Sequence, residues 1–307
     1  MKQSEREGLL YTALSYLIWG LLPIYWKLMA GVSPDEILTN RIFWSFWFMM
    51  IVVLLSRKSR LLADSIRLIR KKPKTMAALI AASLLISCNW LLYIWAVNSD
   101  HMVEASLGYY INPLVSILLG VFVLKEKLSA AQAASFFLAL AGVLVLTLSY
   151  GQFPWAAFGL AFSFGLYGLT KKLITVDSAI GLTLETLAVM PLALLYMVYL
   201  FIIGEQSLLS GSIGTDLLLV GAGAATAVPL LYFSKGVQKI PLYLSGFLQY
   251  IAPTMMLLLG VFLYKEPFSG SQLIAFICIW GSLVLLTITK IDRSKWKKGH
   301  HSKSLAQ

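Results

Sequence analysis

Apolar positions along this chain neither alternate nor recur as a single stripe; they run on for about twenty residues and then give way to short polar breaks. A run of about 20 apolar residues, rising 1.5 Å each as a helix, crosses the hydrocarbon core of a bilayer. Ten runs are read, at roughly 8–29, 36–56, 76–97, 103–123, 130–149, 154–174, 180–203, 214–235, 243–263 and 270–289. Leu128 to Thr170 carries no charge and is long enough for two passes, divided by the turn sequence Tyr150-Gly151-Gln152-Phe153-Pro154. The pattern predicts an all-α, polytopic integral membrane protein of about ten transmembrane helices. The first run follows a charged stretch like a signal-peptide n-region, but it is too long for an h-region and lacks a small-x-small cleavage site, so a retained helix is expected.

Composition agrees. The 307 residues are 59% hydrophobic and 13% charged, with mean hydropathy +0.79. A soluble domain has too much exterior to hide such a surface. The net charge of +11 is a topology signal more than a nucleic-acid one. With ten spans and a cytoplasmic N-terminus, all but Lys27, Arg41 and Lys265 of the 25 Lys and Arg fall in cytoplasmic segments, as the positive-inside rule expects. Both termini are therefore expected in the cytoplasm of a multi-pass cell-membrane protein. Arg60 to Lys74 sets Leu61, Leu62, Ile66 and Ile69 among basic residues, which suits a helix lying on the anionic inner leaflet. Cys88 and Cys278 lie mid-span and read as small buried hydrophobes. His300 and His301 fall in the tail and His101 in a short loop, so no metal or other cofactor is expected.

Displacing the sequence by 140 residues superposes its punctuation. Tyr110, Ile111 and Pro113 meet Tyr250, Ile251 and Pro253; Leu118 to Phe122 meets Leu258 to Phe262; Lys125-Glu126 meets Lys265-Glu266; Ser129 and Gln132 meet Ser269 and Gln272. A displacement of about 145 pairs Trp19-Gly20-Leu21 with Phe164-Gly165-Leu166 and Lys27 with Lys172. The chain thus divides into a five-helix repeat over 8–149, a second over 150–289, and a basic tail over 290–307 expected to lack structure. Five is odd, so the second repeat enters the membrane from the opposite side, an arrangement that transporters use around a midplane site.

Two five-helix halves, with a proline-interrupted fourth helix leading into Gly-Val-Phe and Lys-Glu, resemble the EamA family of the drug/metabolite transporter (DMT) superfamily. Trp19-Gly20-Leu21-Leu22-Pro23-Ile24-Tyr25-Trp26-Lys27, followed by Asn40-Arg41, is closer to its RarD-type branch. The resemblance spans nearly the whole chain outside the tails. It implies transport of amino acids, metabolites or drugs, without specifying which.

Candidate chemistry lies where helices are opened. Pro113 and Pro253 fall mid-span, where each disturbs the carbonyl four residues earlier, on Tyr109 and Gln249. Two readings stand: simple kinks, or helix breaks beside a wet cavity. Tyr109, Asn112, Pro113 and Ser116 share one face, and Gly246, Gln249, Pro253, Met256 and Gly260 another. Trp19, Arg41, Asn89, Tyr93, Tyr109, Tyr110, Asn112, Tyr232, Gln249 and Tyr250 are the candidate substrate-binding residues. The aromatic stripe Tyr16, Trp19, Pro23, Trp26 is read either as a packing and interface stripe or as a π-lined wall. Arg41 either snorkels to headgroups or binds anionic groups. Glu185 is the first candidate for proton coupling and Glu104 the second, each with a capping or interface role as its alternative. Lys27 and Lys172 read as snorkelling helix-end residues.

The expected function is a secondary active transporter working by alternating access, with export as the first choice of direction, although the family both exports and imports. No Gly-x4-Gly-Lys-[Ser/Thr] loop is present, so an ion or solute gradient would supply the energy. Expected partners are a small-molecule solute, the lipid bilayer and a coupling ion, protons foremost, with a homodimer open and no nucleic acid. A membrane-embedded enzyme would need clustered His, Asp, Ser or Cys in the spans, and a sensor a sizeable soluble domain; neither is legible, so the chain is read as not an enzyme.

Overall fold

The structure, a computed structural model, describes residues 3–304 apart from 100, 175, 266 and 267; side chains are not described at 97, 98, 102 and 289–304. It is all-helical. In order the helices are α1 (Gln3–Lys27), α2 (Pro34–Leu55), α3 (Ser59–Lys71), α4 (Pro73–Asn98), α5 (Met102–Phe122), α6 (Ala130–Tyr150), α7 (Trp155–Leu173), α8 (Ser178–Ile203), α9 (Ile213–Val237), α10 (Leu242–Gln249), α11 (Ile251–Leu258), a π-helical turn (Leu259–Leu263) and α12 (Gly270–Ser304). The tail expected from residue 290 lies outside the described side chains.

Among the described residues nine helical segments are long and apolar enough to cross a membrane, α10, α11 and the π turn counting together as one. The tenth expected run is α7, 19 residues including Ser163, Thr170, Lys171 and Lys172. It tolerates these because α4, α5 and α9 pack against it and each of the four polar side chains bonds within the protein, while Phe162 and Leu173 stay exposed. The outer surface carries large apolar side chains, Leu148, Leu192, Leu195 and Ile202 among them. Cys88 also faces outward, against the expectation that it is buried, while Cys278 is half-buried beside Gly142.

α1 sets the two ends of the bundle. Glu7, near its start, pairs with Lys239, whereas Lys27 at its other end lies 3.4 Å over the Tyr264 ring. Twenty-five helical residues span about 37 Å, so the loop before α10 and the loop after the π turn lie on opposite faces. Glu126 reaches the first of these loops, which places Lys125 and Lys265 at opposite ends. The first, carrying most of the Lys and Arg, is the basic end; the other is the far end.

The matching punctuation of the halves is matching local structure. Ser129 and Gln132 form a reciprocal capping box at the start of α6, and Ser269 and Gln272 repeat it at the start of α12. Lys125 and Lys265, the residues that turn the chain ahead of each box, both have left-handed backbone, at φ 54° and 58°. α3 lies along the basic end with Ile69 buried, Leu62 and Ile66 half-buried and Leu61 exposed.

The core has two main parts. Tyr16, Trp19, Phe164, Tyr167 and Phe233, from α1, α7 and α9, make an aromatic cluster with ring centroids 5.4–6.0 Å apart. A second group joins α5, α6, α10 and α12.

Candidate functional site

The two proline-bearing helices behave differently. α5 continues through Pro113 without a break. Its counterpart divides into α10 and α11 at Tyr250, immediately after Gln249, the residue whose carbonyl Pro253 cannot bond. The halves of these helices toward the basic end pack tightly. A Cβ on Gly246 would come within 2.8 Å of the Pro113 carbonyl oxygen, so glycine is needed for that approach. Ser116 Oγ donates to Gln249 Oε1 at 3.1 Å. Glu126 then closes the bottom: its two carboxylate oxygens accept from the backbone N–H of Leu242 (2.7 Å) and Tyr243 (2.9 Å), the first amides of α10. Lys172 donates to the carbonyls of Val237 and Ile240 just ahead. It caps the end of α9 and does not snorkel outward.

The repeat-equivalent contact at the far end is not made. The counterpart of buried Gly246 is Ser106, which is exposed. Among the described residues no hydrogen bond joins 103–112 to α11. Tyr109 is 36% exposed although its ring meets Tyr93 of α4 at 6.3 Å inside the bundle, so it faces a cleft, not lipid.

Arg41 lies in this cleft. Ser33 caps α2 and Pro34 starts it, which puts Arg41 about two turns below the far end. α2 presses against α9 so closely that a Cβ on Gly223 would overlap the backbone of Trp44, and Ser45 Oγ donates to the Gly223 carbonyl. The contact brings Thr226 opposite Arg41, and Arg41 Nε donates to Thr226 Oγ1 at 2.9 Å. The guanidinium lies 4.6 Å from the Trp26 ring centre and 5.5 Å from that of Trp90, with Tyr93 and Tyr109 in electrostatic range.

A second charged cluster lies deeper, toward the basic end. Lys171 Nζ meets Glu185 Oε1 at 2.7 Å with both side chains almost fully buried, at 1% and 2% exposure, and Tyr167 donates to Glu185 Oε2 at 3.4 Å. Sequence reasoning counted Lys171, at the end of the run 154–174, with the basic residues of the cytoplasmic side; the structure buries it within α7 against Glu185. The signal available was its position fourteen residues before Glu185, across the short connection from α7 to α8. A cavity of about 10 Å³, room for one water, separates Glu185 and Tyr167 from Trp90, the residue that covers Arg41.

The remaining candidates are dispersed. Asn89 donates to the Leu160 carbonyl and to Ser163 Oγ, both at 2.9 Å, and so ties α4 to α7. Trp19 lies within the aromatic cluster. Tyr232 stacks on Tyr11 at 5.7 Å, near Lys235. Tyr110 is half-buried in the second core group. Asn112 and Tyr250 are buried beside the two prolines, and the Asn112 Oδ1 and Tyr250 hydroxyl find no protein partner among the described residues. Glu104 accepts from Ala156 N (2.8 Å) and the Tyr150 hydroxyl (3.1 Å) and meets His101, so it ties the start of α5 to the start of α7. No group of three metal-ligating side chains exists among the described residues. Thr226, Trp90 and Lys171 are site residues that sequence reasoning did not nominate; Trp26 was named only within the aromatic stripe of α1, whose other aromatic members Tyr16 and Trp19 pack in the aromatic cluster.

Known proteins agree with this architecture. The model of the EamA-like transporter family matches residues 6–148 and 154–288, one match for each half. The "Uncharacterized transporter YojE" of Bacillus subtilis is 49% identical over 98% of this chain and 100% of its own length. "Protein RarD" of Escherichia coli is 41% identical over 94% and 96%. A solved crystal structure superposes at TM-score 0.70 with 19% identity, covering 93% of this chain and 98% of its own, a likeness of fold. With the family matched over both five-helix halves, this chain belongs to the EamA-like transporter family.

Proposed function

We propose that the protein is a secondary active transporter of small organic solutes that exports them by alternating access of its two inverted halves. The observation that carries this is the broken symmetry of one contact. Residues 113–122 of α5 pack against α10 at the basic end, while the equivalent pairing of 103–112 with α11 at the far end is open. Exchanging the two repeats' conformations would close the far end and open the basic end. In that exchange the Glu126 carboxylate must leave the α10 amides, making it the latch of the basic end. The distribution of Lys and Arg supports a cytoplasmic basic end, and with it the termini inside a cell membrane. The outward-accessible cleft is then where an exported solute is released.

Protons are the coupling ion in this proposal, and the Lys171–Glu185 pair is their carrier. The pair is neutral as a unit and lies one small cavity from the cleft; parting it frees the Glu185 carboxylate to bind a proton while Lys171 keeps its own, so the unit would cycle between net charges of 0 and +1. Glu104 is held by backbone and side-chain donors at the far-end loops, so we assign it to structure.

The test is exchange in proteoliposomes across a panel of amino acids, metabolites and drugs. Counterflow of at least one class, stimulated by a pH difference, is the expected result. No exchange of any member by protein that still binds a panel compound would refute transport. The proton assignment has its own check in Lys171→Met/Glu185→Gln, which removes the pair without leaving a lone charge: transport that keeps its pH dependence there eliminates the pair as carrier.

A further inference from the structure

We infer that the cleft binds organic anions, with Arg41 receiving the anionic group and Trp26, Trp90, Tyr93 and Tyr109 lining the space for a flat apolar body. This builds on the transporter reading by naming the solute class.

The inference begins from an imbalance of charge. A guanidinium has five N–H donors and is always protonated. Here one donor, Nε, is used, on a neutral threonine hydroxyl. Among the described residues no carboxylate lies within 4.0 Å of Arg41; the ion pairs of the molecule are elsewhere. The two indole faces attract the cation but supply no acceptor lone pairs in its plane, and a desolvated cation–π contact is worth only about 2 kcal/mol. The terminal N–H groups are therefore left for a ligand. They are the part of the side chain that grips a carboxylate or phosphate through two parallel bonds.

Direction decides between this and snorkelling. A snorkelling arginine would run along the lipid surface to the headgroups. The Arg41 head instead points across the bundle, bonded to α9, stacked on α1, covered by α4 and close to Tyr109 of α5. Four helices surround it, and the open side is the cleft onto which Tyr109 is exposed. Thr226, 1% exposed, holds the guanidinium through Nε, and the two Nη groups have no protein acceptor among the described residues. The flanking rings set the rest of the ligand: successive aromatic walls favour a planar apolar body over a polar one.

The experiment uses the full-length protein in detergent, with thermal shift and Trp fluorescence read against paired probes, indole-3-acetate with indole-3-acetamide and benzoate with benzamide. Each pair differs by one charge and keeps its shape. The acids should stabilise the protein and bind at least about tenfold more tightly than the amides, because a charged hydrogen-bonded contact is lost in the amide. Arg41→Gln should bring the acids down to the level of the amides. Equal binding of acid and amide by the wild type overturns the inference, whether or not Arg41→Gln folds. A shift produced by phosphatidylglycerol but by neither acid also overturns it, since the anion would then be a lipid headgroup. Counterflow of labelled indole-3-acetate separates the two levels. Arg41-dependent binding without counterflow upholds the anion site and refutes transport, while counterflow of amides and acids alike, unaffected by Arg41→Gln, refutes the anion site and upholds transport.

Discussion

The two repeats solve the same position in opposite ways. With a displacement of 145 residues, Trp26 of α1 falls on Lys171 of α7, and Arg41 of α2 on Thr186, next to Glu185 of α8. In the first half the contact is a cation on an aromatic ring, 4.6 Å apart and facing a cleft. In the second it is an ion pair at 2.7 Å, almost fully buried. Both place a cation inside the bundle. The second supplies the counter-charge from within the protein and is enclosed; the first leaves it to be supplied and is open. Charge balance, more than depth, distinguishes a structural cation from one free to meet a solute.

The largest effect on stability is expected from separating the enclosed pair. Lys171→Met leaves Glu185 buried without a counter-ion and should cost about 3–5 kcal/mol, seen as a large fall in Tm by differential scanning fluorimetry. Lys171→Met/Glu185→Gln should recover most of that loss; a double variant as unstable as the single would show that the pair is not what the core is built around. Next comes the Glu126 latch. Replacing its charged bonds to α10 by those of Glu126→Gln should weaken the closed basic end by about 1.5 kcal/mol, roughly tenfold in population. The readout is labelling of a cysteine at Ser106 by an impermeant maleimide, in a background without Cys88 and Cys278: it should fall as the far end closes more often, and unchanged labelling would dismiss the latch.

A smaller effect belongs to Asp177, which caps α8 through Ala179 and Ile180 and meets Lys58 at 2.6 Å in the basic-end loops. Burial pushes its carboxyl upward, but the Lys58 ammonium and the helix amides outweigh that and hold it below its ordinary value. A depressed folded-state pKa stabilises above the unfolded value, about 3.9, and that contribution is lost as pH falls through the folded one. Asp177→Ala should therefore cost about 1 kcal/mol near neutrality, and the gap between variant and wild-type Tm should narrow in acid. The smallest expected change is Arg41→Gln, within about 1 kcal/mol of wild type, since no acid relies on it. A loss as large as that of Lys171→Met would erase the distinction between the two cations.

Much of this was legible in the chain. The helices, their ends and the inverted repeat follow from long apolar runs and from punctuation that recurs at 140 residues, because backbone in lipid must close its hydrogen bonds within helices. Ser129 and Gln132 recur as Ser269 and Gln272 because a capping box is local: its four atoms lie within one turn. Arg41 and Glu185 could be nominated because a charge inside an apolar run is costly wherever it points.

What those charges meet is another matter. Glu185 is neutralised by Lys171, fourteen residues away and on another helix, while Arg41 meets Thr226, 185 residues away, and no acid within salt-bridge distance among the described residues. Helical spacing orders neighbours within one helix; it does not say which helix lies opposite. The sequence by itself determined the membrane fold, its two halves and the cost of each intramembrane charge. Tertiary packing alone decided which of those charges is cancelled, which end of the bundle is closed, and that Pro253 splits its helix where Pro113 does not, because each depends on side chains that close approach of glycine-bearing helices brings together across long separations.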